Sequence, residues 1–307
     1  MHYFRVQRYY FMAQGAVPAD QHNDLVQGPF RVIPRRWHVS TWDWALLATE
    51  HELHLPFQLP DLEAQSVNLE LAVEADSVRT AVTMVEALRL ALACHGLVPV
   101  STPTICSHSV NDFSGIKQFA KDTSDPRHGR ALAIASRSET VWMAGIRGGP
   151  VAILPESATR ELSESVFAPS ASMALRWLDI AKGAPRLRVL EEAALTAPTI
   201  TNLGQSILQM WTGLESLFPE IHSELSFRLA LHLAQLDPAT RRAQFARARK
   251  AYVLRSKVAH GHDLSEPSQK NRDAWTECWE LLHSTVMALI VRGGLPTEEQ
   301  LVEELLT

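Results

Sequence analysis

Thr199-Ile-Thr-Asn-Leu-Gly-Gln-Ser-Ile-Leu-Gln-Met-Trp-Thr-Gly-Leu-Glu-Ser-Leu-Phe218 decides the fold class of the second half of this chain. Ile200, Leu203, Ile207, Met210, Trp211, Leu214, Leu217 and Phe218 recur at three- and four-residue steps, which places them on one face of a helix, and Pro219 stops it. Toward the C-terminus the same reading continues. Ile221–Leu236 carries Leu225, Leu229, Leu233 and Leu236 on one face. Asp237-Pro238 supplies an N-cap and a proline for the first helical position, opening a long helix that runs to about His260-Gly261. Ser268 caps a last long helix with Trp275, Cys278, Trp279, Leu282, Val286, Leu289 and Ile290 as its buried stripe, closed by Gly293-Gly294. Upstream, Ser170 caps a segment ending at Gly183-Ala-Pro185, and Arg186–Leu195 makes a short helix. Short loops between such helices favour antiparallel neighbours in a bundle.

The texture changes near residue 160. In Val67-Asn-Leu-Glu-Leu-Ala-Val73 the apolar residues fall at 67, 69, 71 and 73, the period of a half-buried strand. Ser77 then caps a helix with Val78, Ala81, Val82, Val85, Leu88 and Leu92 as its stripe, and Gly96 ends it. Val98–Val100, Ala131–Ala135, Val141–Ala144 and Val151–Leu154 read as strands, with Tyr3–Met12 and Phe30–Ile33 as weaker ones. The expected architecture is therefore an α+β domain over 1–160, an all-α antiparallel bundle over 169–294, and an acidic C-terminal tail over 295–307. The boundary falls in the polar stretch Pro155–Pro169, and Glu298, Glu299, Glu303 and Glu304 make the tail a short surface helix.

Composition narrows the function classes. Apolar residues make up 46% of 307, enough for a sizeable core, and a net charge of −5 excludes a globally basic protein that coats nucleic acid. No apolar run reaches the eighteen or so residues of a membrane span, so no membrane partner is expected. Met1-His-Tyr-Phe-Arg5 lacks a charged-then-apolar leader. Three widely spaced cysteines (Cys94, Cys106, Cys278) argue for a reducing compartment, so the expected location is the cytoplasm.

Against that acidic background, Arg241–Lys257 holds seven basic residues (Arg241, Arg242, Arg247, Arg249, Lys250, Arg255, Lys257) and no acidic one. Such a local field attracts phosphate. The plain alternative is a solvated helix face whose basic last turn complements the helix dipole. Arg255 and His260 are five residues apart, about 140° around a continuous helix, so helical geometry alone does not make them converge. Either Gly261 ends the helix and frees His260 to swing, or a two-fold dimer sets the two side chains opposite their copies. Arginine offers a permanently charged fork of donors to phosphate oxygens, and histidine exchanges a proton near neutral pH.

Arg255-Ser256-Lys257-Val258-Ala259-His260-Gly261 resembles the Arg-x4–6-His motif of HEPN domains. Trp211-Thr-Gly-Leu-Glu215-Ser-Leu-Phe218 is similar to the second helix of the Apea-like HEPN branch, and Glu224-Leu-Ser-Phe-Arg228-Leu-Ala to its next helix. The resemblance covers about 40% of the chain. It implies a metal-independent endoribonuclease with no cofactor, often a homodimer with a composite active site, of the kind found in toxin–antitoxin and anti-phage systems. His260 would be the general base for a ribose 2′-hydroxyl, Arg255 would bind the scissile phosphate, and Ser256 would support the pair. Arg241, Arg242, Arg247, Arg249, Lys250 and Lys257 would hold the RNA, with an antitoxin or a phage trigger as further partners. Products would be a 2′,3′-cyclic phosphate and a 5′-hydroxyl. Some toxin relatives carry a tyrosine two residues after the histidine, where this chain has His262. The alternative within the family is a non-catalytic adaptor that binds RNA or protein. Glu215 reads as a polar residue inside the bundle, paired with Arg228 or Arg255.

Other patterns carry less. His51-Glu-Leu-His54 is one residue short of a zinc-protease motif, and Cys94-His95 with Cys106-Ser-His108 lacks zinc-knuckle spacing, so no metal site is expected. Gly145-Ile-Arg-Gly-Gly149 reads as a hairpin turn. Trp37, Trp42 and Trp44 read as core, although aromatics interleaved with Arg35 and Arg36 also suit base stacking.

Overall fold

The computed structural model describes residues 6–53, 67–146, 149–262, 264 and 268–306. The expectations for Met1–Arg5, for His54 and for Arg147-Gly148 lie outside them. The chain divides into two compact units. One comprises 1–85, 100–149 and 160–168; the other takes 86–99, 150–159 and 169–307. The helical unit thus includes two segments that the sequence places in the N-terminal half.

The first unit is built on a sheet of six strands: β1 (Gln7–Gln14), β3 (Leu25–Gln27), β4 (Phe30–Pro34), β5 (Leu69–Ala75), β6 (Ser101–Cys106) and β7 (Met143–Gly145). Their order is β3-β4-β5-β1-β6-β7, and every neighbouring pair is antiparallel. A separate short parallel pair joins β2 (Val17–Pro18) to β8 (Glu161–Leu162). The α+β class expected from the sequence is what the fold shows. Tyr10 sits opposite both Ala72 and Cys106, so Met12, Cys106 and Met143 share a face with Tyr10. Over the Met12 side lie Trp37, Val39, Trp44, Leu47, Phe113 and Ile134, drawn from α1 (Thr41–His51), α4 (His128–Ala135) and the turns around them; α3 (Ile116–Phe119) adds Ile116.

Three readings of this half are corrected. The segment Ala131–Ala135 is not a strand. It belongs to helix α4, whose Ala-Leu-Ala-Ile composition favours a helix and whose Ala131 and Ile134, three apart, are the buried positions. Strand β5 is not half-buried, because Glu70 and Ala72 on its supposed solvent face are 1% and 0% exposed. Glu70 is accommodated because Ser109 Oγ donates to its Oε2 at 2.5 Å and the Val110 N–H to its Oε1 at 2.9 Å. Burial still pushes its carboxyl up to about 7. Val151–Leu154 is also no strand; Ala152 and Ile153 both donate their N–H groups to the Pro198 carbonyl.

Helix α2 (Val78–Cys94) starts as expected at Ser77, whose Oγ accepts from the Thr80 N–H, and Gly96 follows its end at φ +83°. Helix α5 (Glu164–Ala181) starts earlier than Ser170. It runs through Pro169, and Ser170 is fully buried, bonding His95 Nδ1 at 3.1 Å instead of capping. There follow α6 (Pro185–Thr196), α7 (Leu203–Glu215), α8 (Leu225–Gln235), α9 (Arg241–Ala259), α10 (Gln269–Arg292) and α11 (Glu298–Leu306). Asn202 caps α7, and Ser268 caps α10, which ends at Gly293 in the left-handed region. Pro238 does not start α9. The Asp237 carboxylate accepts from the Ala239 N–H and the Thr240 hydroxyl, which builds a turn and delays the helix to Arg241. Helix α7 packs on α6, α9 and α10, and α9 on α8 and α10. The core of this unit centres on Trp177, Trp211 and Trp275, and Trp275 Nε1 donates to Ser206 Oγ at 2.7 Å.

The acidic tail forms its expected helix, α11, but it is not merely superficial. Leu301 is fully buried, and Glu298 and Glu304 pair with Arg228 and Arg292. Among the described residues no helix is long and apolar enough to cross a membrane.

Candidate functional site

Helix α9 is rich in Ala and Arg, both strong helix formers, and it buries only Gln244, Ala248 and Ala251. Small residues on that face permit the close approach to α8, and Gln244 Nε2 donates to Ser284 Oγ of α10 at 2.6 Å. The Tyr252 ring meets Trp211 of α7 edge-to-face at 5.2 Å. At the far end, the first turn of α7 carries Gly204, where an added Cβ would lie 3.0 Å from Val258 Cγ1. Helix α9 is therefore held near its start, its middle and its last turn, the last by Val258 against α7.

That turn ends in a Schellman motif. The Gly261 N–H donates to the Val258 carbonyl and the His262 N–H to the Lys257 carbonyl, with Gly261 at φ +89°. A side chain at 261 would be strained in this conformation, so the glycine is what lets the chain turn away here. His260 is the last residue before it, exposed, and its imidazole makes no hydrogen bond or ion pair among the described residues. Its backbone stays close to helical (φ −95°, ψ 19°), so the angle of about 140° from Arg255 is retained.

Arg255 turns the other way. Its Nη2 donates to Glu215 Oε2 at 2.9 Å, and Nε lies 2.9 Å from Oε1 without the alignment of a hydrogen bond. The guanidinium also sits 5.7 Å from the Tyr252 ring centroid. Burial holds the Tyr252 hydroxyl above its ordinary range, with Arg255 opposing. Of the two partners open to Glu215, the fold selects Arg255; Arg228 goes to Glu298. Ser256 lies one turn before His260 on the same face, half-buried, and its Oγ makes no hydrogen bond among the described residues. Within one chain, then, Arg255 and His260 are near in sequence but face apart.

The remaining cations separate into two groups. Arg247 pairs with Glu280 at 3.4 Å and Lys250 with Glu277 at 2.5 Å, both across to α10. Arg241, Arg242, Arg249 and Lys257 have no carboxylate partner among the described residues. Sequence reasoning missed this sorting. The signal available to it was Glu277 and Glu280, three apart and so on one face of the last helix.

Elsewhere the chemistry is structural. Among the described residues no group of three or more metal-capable side chains converges. The thiols of Cys106 and Cys278 are pushed up to about 12 by burial, and that of Cys94 is raised as well. In the first unit Ser107 Oγ lies 2.8 Å from His108 Nδ1, and His108 Nε2 lies 3.3 Å from Glu139, an order of groups found in hydrolases. That hydroxyl is already occupied by the Trp142 N–H and carbonyl. A concavity of about 960 Å³ beside α11 is lined by Glu220, Glu298, Glu299 and Glu303 against a single arginine, Arg186, a poor match for a polyanion. Trp37 and Trp44 are core residues as expected, whereas Trp42 is 77% exposed.

No family model matches the chain, and neither a curated protein nor a solved structure matches it significantly.

Proposed function

We propose that this chain is a metal-independent endoribonuclease of the HEPN type, working in the cytoplasm as a toxin or anti-phage effector. The observation that carries the reading is an exposed His260, fixed by a Schellman turn at the end of a helix, where among the described residues neither its imidazole nor the cations Arg242, Arg249 and Lys257 have a carboxylate partner. A neutral imidazole there takes the proton of a ribose 2′-hydroxyl. The 2′-oxygen attacks the adjacent phosphorus, and the bond to the 5′-oxygen breaks. A cyclic phosphate and, after protonation, a 5′-hydroxyl result. Arg255, preorganised by Glu215, stabilises charge developing on the phosphoryl oxygens. Because Arg255 and His260 face apart in one chain, the reading requires two copies, each completing the other's site. The α+β unit would sense a trigger, hold the enzyme off or select the RNA.

Purified protein is expected to cleave RNA in EDTA, and His260→Ala to abolish cleavage with an unchanged circular dichroism spectrum. Cleavage that survives the substitution, or that requires Mg²⁺, removes the mechanism. The divergence of Arg255 and His260 favours one second reading, a non-catalytic RNA-binding adaptor. Salt-sensitive RNA binding without turnover, insensitive to His260→Ala, would establish that instead.

A further inference from the structure

On the outer face of α9, positions 242, 245, 249, 253, 256 and 260 follow at steps of three and four, so they form one stripe leading to His260. From Arg242 to His260 it spans about 27 Å at helical rise. Its upper end is aromatic as well as basic. Phe227, 46% exposed on α8, meets Phe245 edge-to-face at 5.7 Å, and the Arg249 guanidinium sits 5.9 Å from the Phe245 centroid. Val253, 49% exposed, continues the surface. We propose that Phe227 and Phe245, with Arg242 and Arg249, stack and hold the bases of a single-stranded RNA whose path along α9 ends at His260.

The ligand rests on the ribonuclease reading; the subsite and the single-stranded form are added to it. Charge decides between possible occupants. The cations of this stripe have no carboxylate partner among the described residues, while Arg247 and Lys250, off the stripe, do. A second copy docking on the Phe227–Phe245 end of the stripe about a two-fold axis would bring Arg242 and Arg249 toward their own copies and bury like charges. A polyanion neutralises them, and each base of a nucleic acid has a π-face that suits the exposed Phe227 ring and the half-buried Phe245 beside it, whatever the base sequence.

The test uses the full chain and a fluorescein-labelled 2′-O-methyl oligouridylate, which lacks the reacting hydroxyl and cannot be cleaved. Fluorescence anisotropy reads affinity. Phe227→Ala is expected to weaken binding between about fivefold and about a hundredfold, the range for one stacked base. Phe227→Leu should lose as much, because it keeps apolar area but no π-face, and Phe227→Tyr should restore wild-type affinity. Arg249→Gln should lower the slope of log affinity against log salt by about 0.7. A duplex of the same length should bind more weakly. The proposal is overturned if Phe227→Ala or Phe227→Leu binds as the wild type does, or if the duplex binds as tightly. It is equally overturned if Phe227→Ala leaves RNA affinity intact but converts a dimer to monomers in sedimentation, which would make the face a self-interface. Cleavage is not the readout, so loss of the nuclease reading leaves this result standing, and the reverse also holds.

Discussion

Gly213→Ala tests whether the contact between α6 and α7 sets the position of Glu215, two residues further on. A Cβ at 213 would lie 2.6 Å from Ala193 Cβ and 3.2 Å from Leu190 Cα. Carbon pairs rest at about 3.5–4.0 Å, so the helices must separate by about 1 Å. Overpacking of this kind costs about 1–3 kcal/mol, against about 1 kcal/mol gained by alanine over glycine inside a helix. A net loss of about 1 kcal/mol is expected, with about 2 as the upper bound. Gly129→Ala in α4 is the internal control. Nothing lies within 4 Å of the added carbon, so the same substitution should stabilise by about 0.4–1 kcal/mol. Ala193→Gly removes the nearest atom. Combined with Gly213→Ala it should show a favourable coupling of about 1 kcal/mol. Guanidinium unfolding followed by tryptophan fluorescence, at constant m, measures each term. If Gly213→Ala is as stable as the wild type, or if the two substitutions simply add, the tight approach is not what holds α7 in place.

Three further outcomes are expected. His283 is buried with its side chain pushed down to about 4, so it is neutral when folded but binds a proton below about 6.5 when unfolded; stability present above that pH falls as pH drops toward 4, by about 3 kcal/mol, and His283→Leu should remove this loss in a pH series of unfolding midpoints. Glu70 has the opposite sign: with a folded value of about 7, its contribution is fully present below about 4.5 and is lost as pH rises through 7, so Glu70→Gln should gain stability at pH 8 and none at pH 4. For α11, the Arg292–Glu304 pair is partly exposed and worth about 1 kcal/mol or less, whereas burying Leu301 is worth about 2–4; Leu301→Ala should accelerate hydrogen exchange across 298–306 far more than Glu304→Gln, and equal effects would show that charge, not burial, docks the helix.

Most helices of the second half are legible in the sequence, since their signals are local, although α5 and α9 start where that reading does not place them. A stripe at three- and four-residue steps places α7, Ser268 and Gly293 bound α10, and Gly261 marks where α9 must end because only the residues within one turn decide it. His260 and Arg255 were legible for the same reason, as residue types on one short segment. Tertiary structure decided what those signals leave open. Alternation in Val67–Val73 could not show that a second layer covers Glu70, whose donors come from Ser109 and Val110, about forty residues away in sequence. Ala131–Ala135 is apolar enough for either class, and only its packing through Ala131 and Ile134 settles the helix. At the site, Glu215 could pair with either of two arginines, and the seven cations of α9 looked alike. Which of them keep their charge uncompensated depends on the carboxylates that α7 and α10 bring within 4 Å. Ion pairing acts over a few ångströms of space rather than a few residues of chain, and the packing of helices around Trp211 and Trp275 sets that distance.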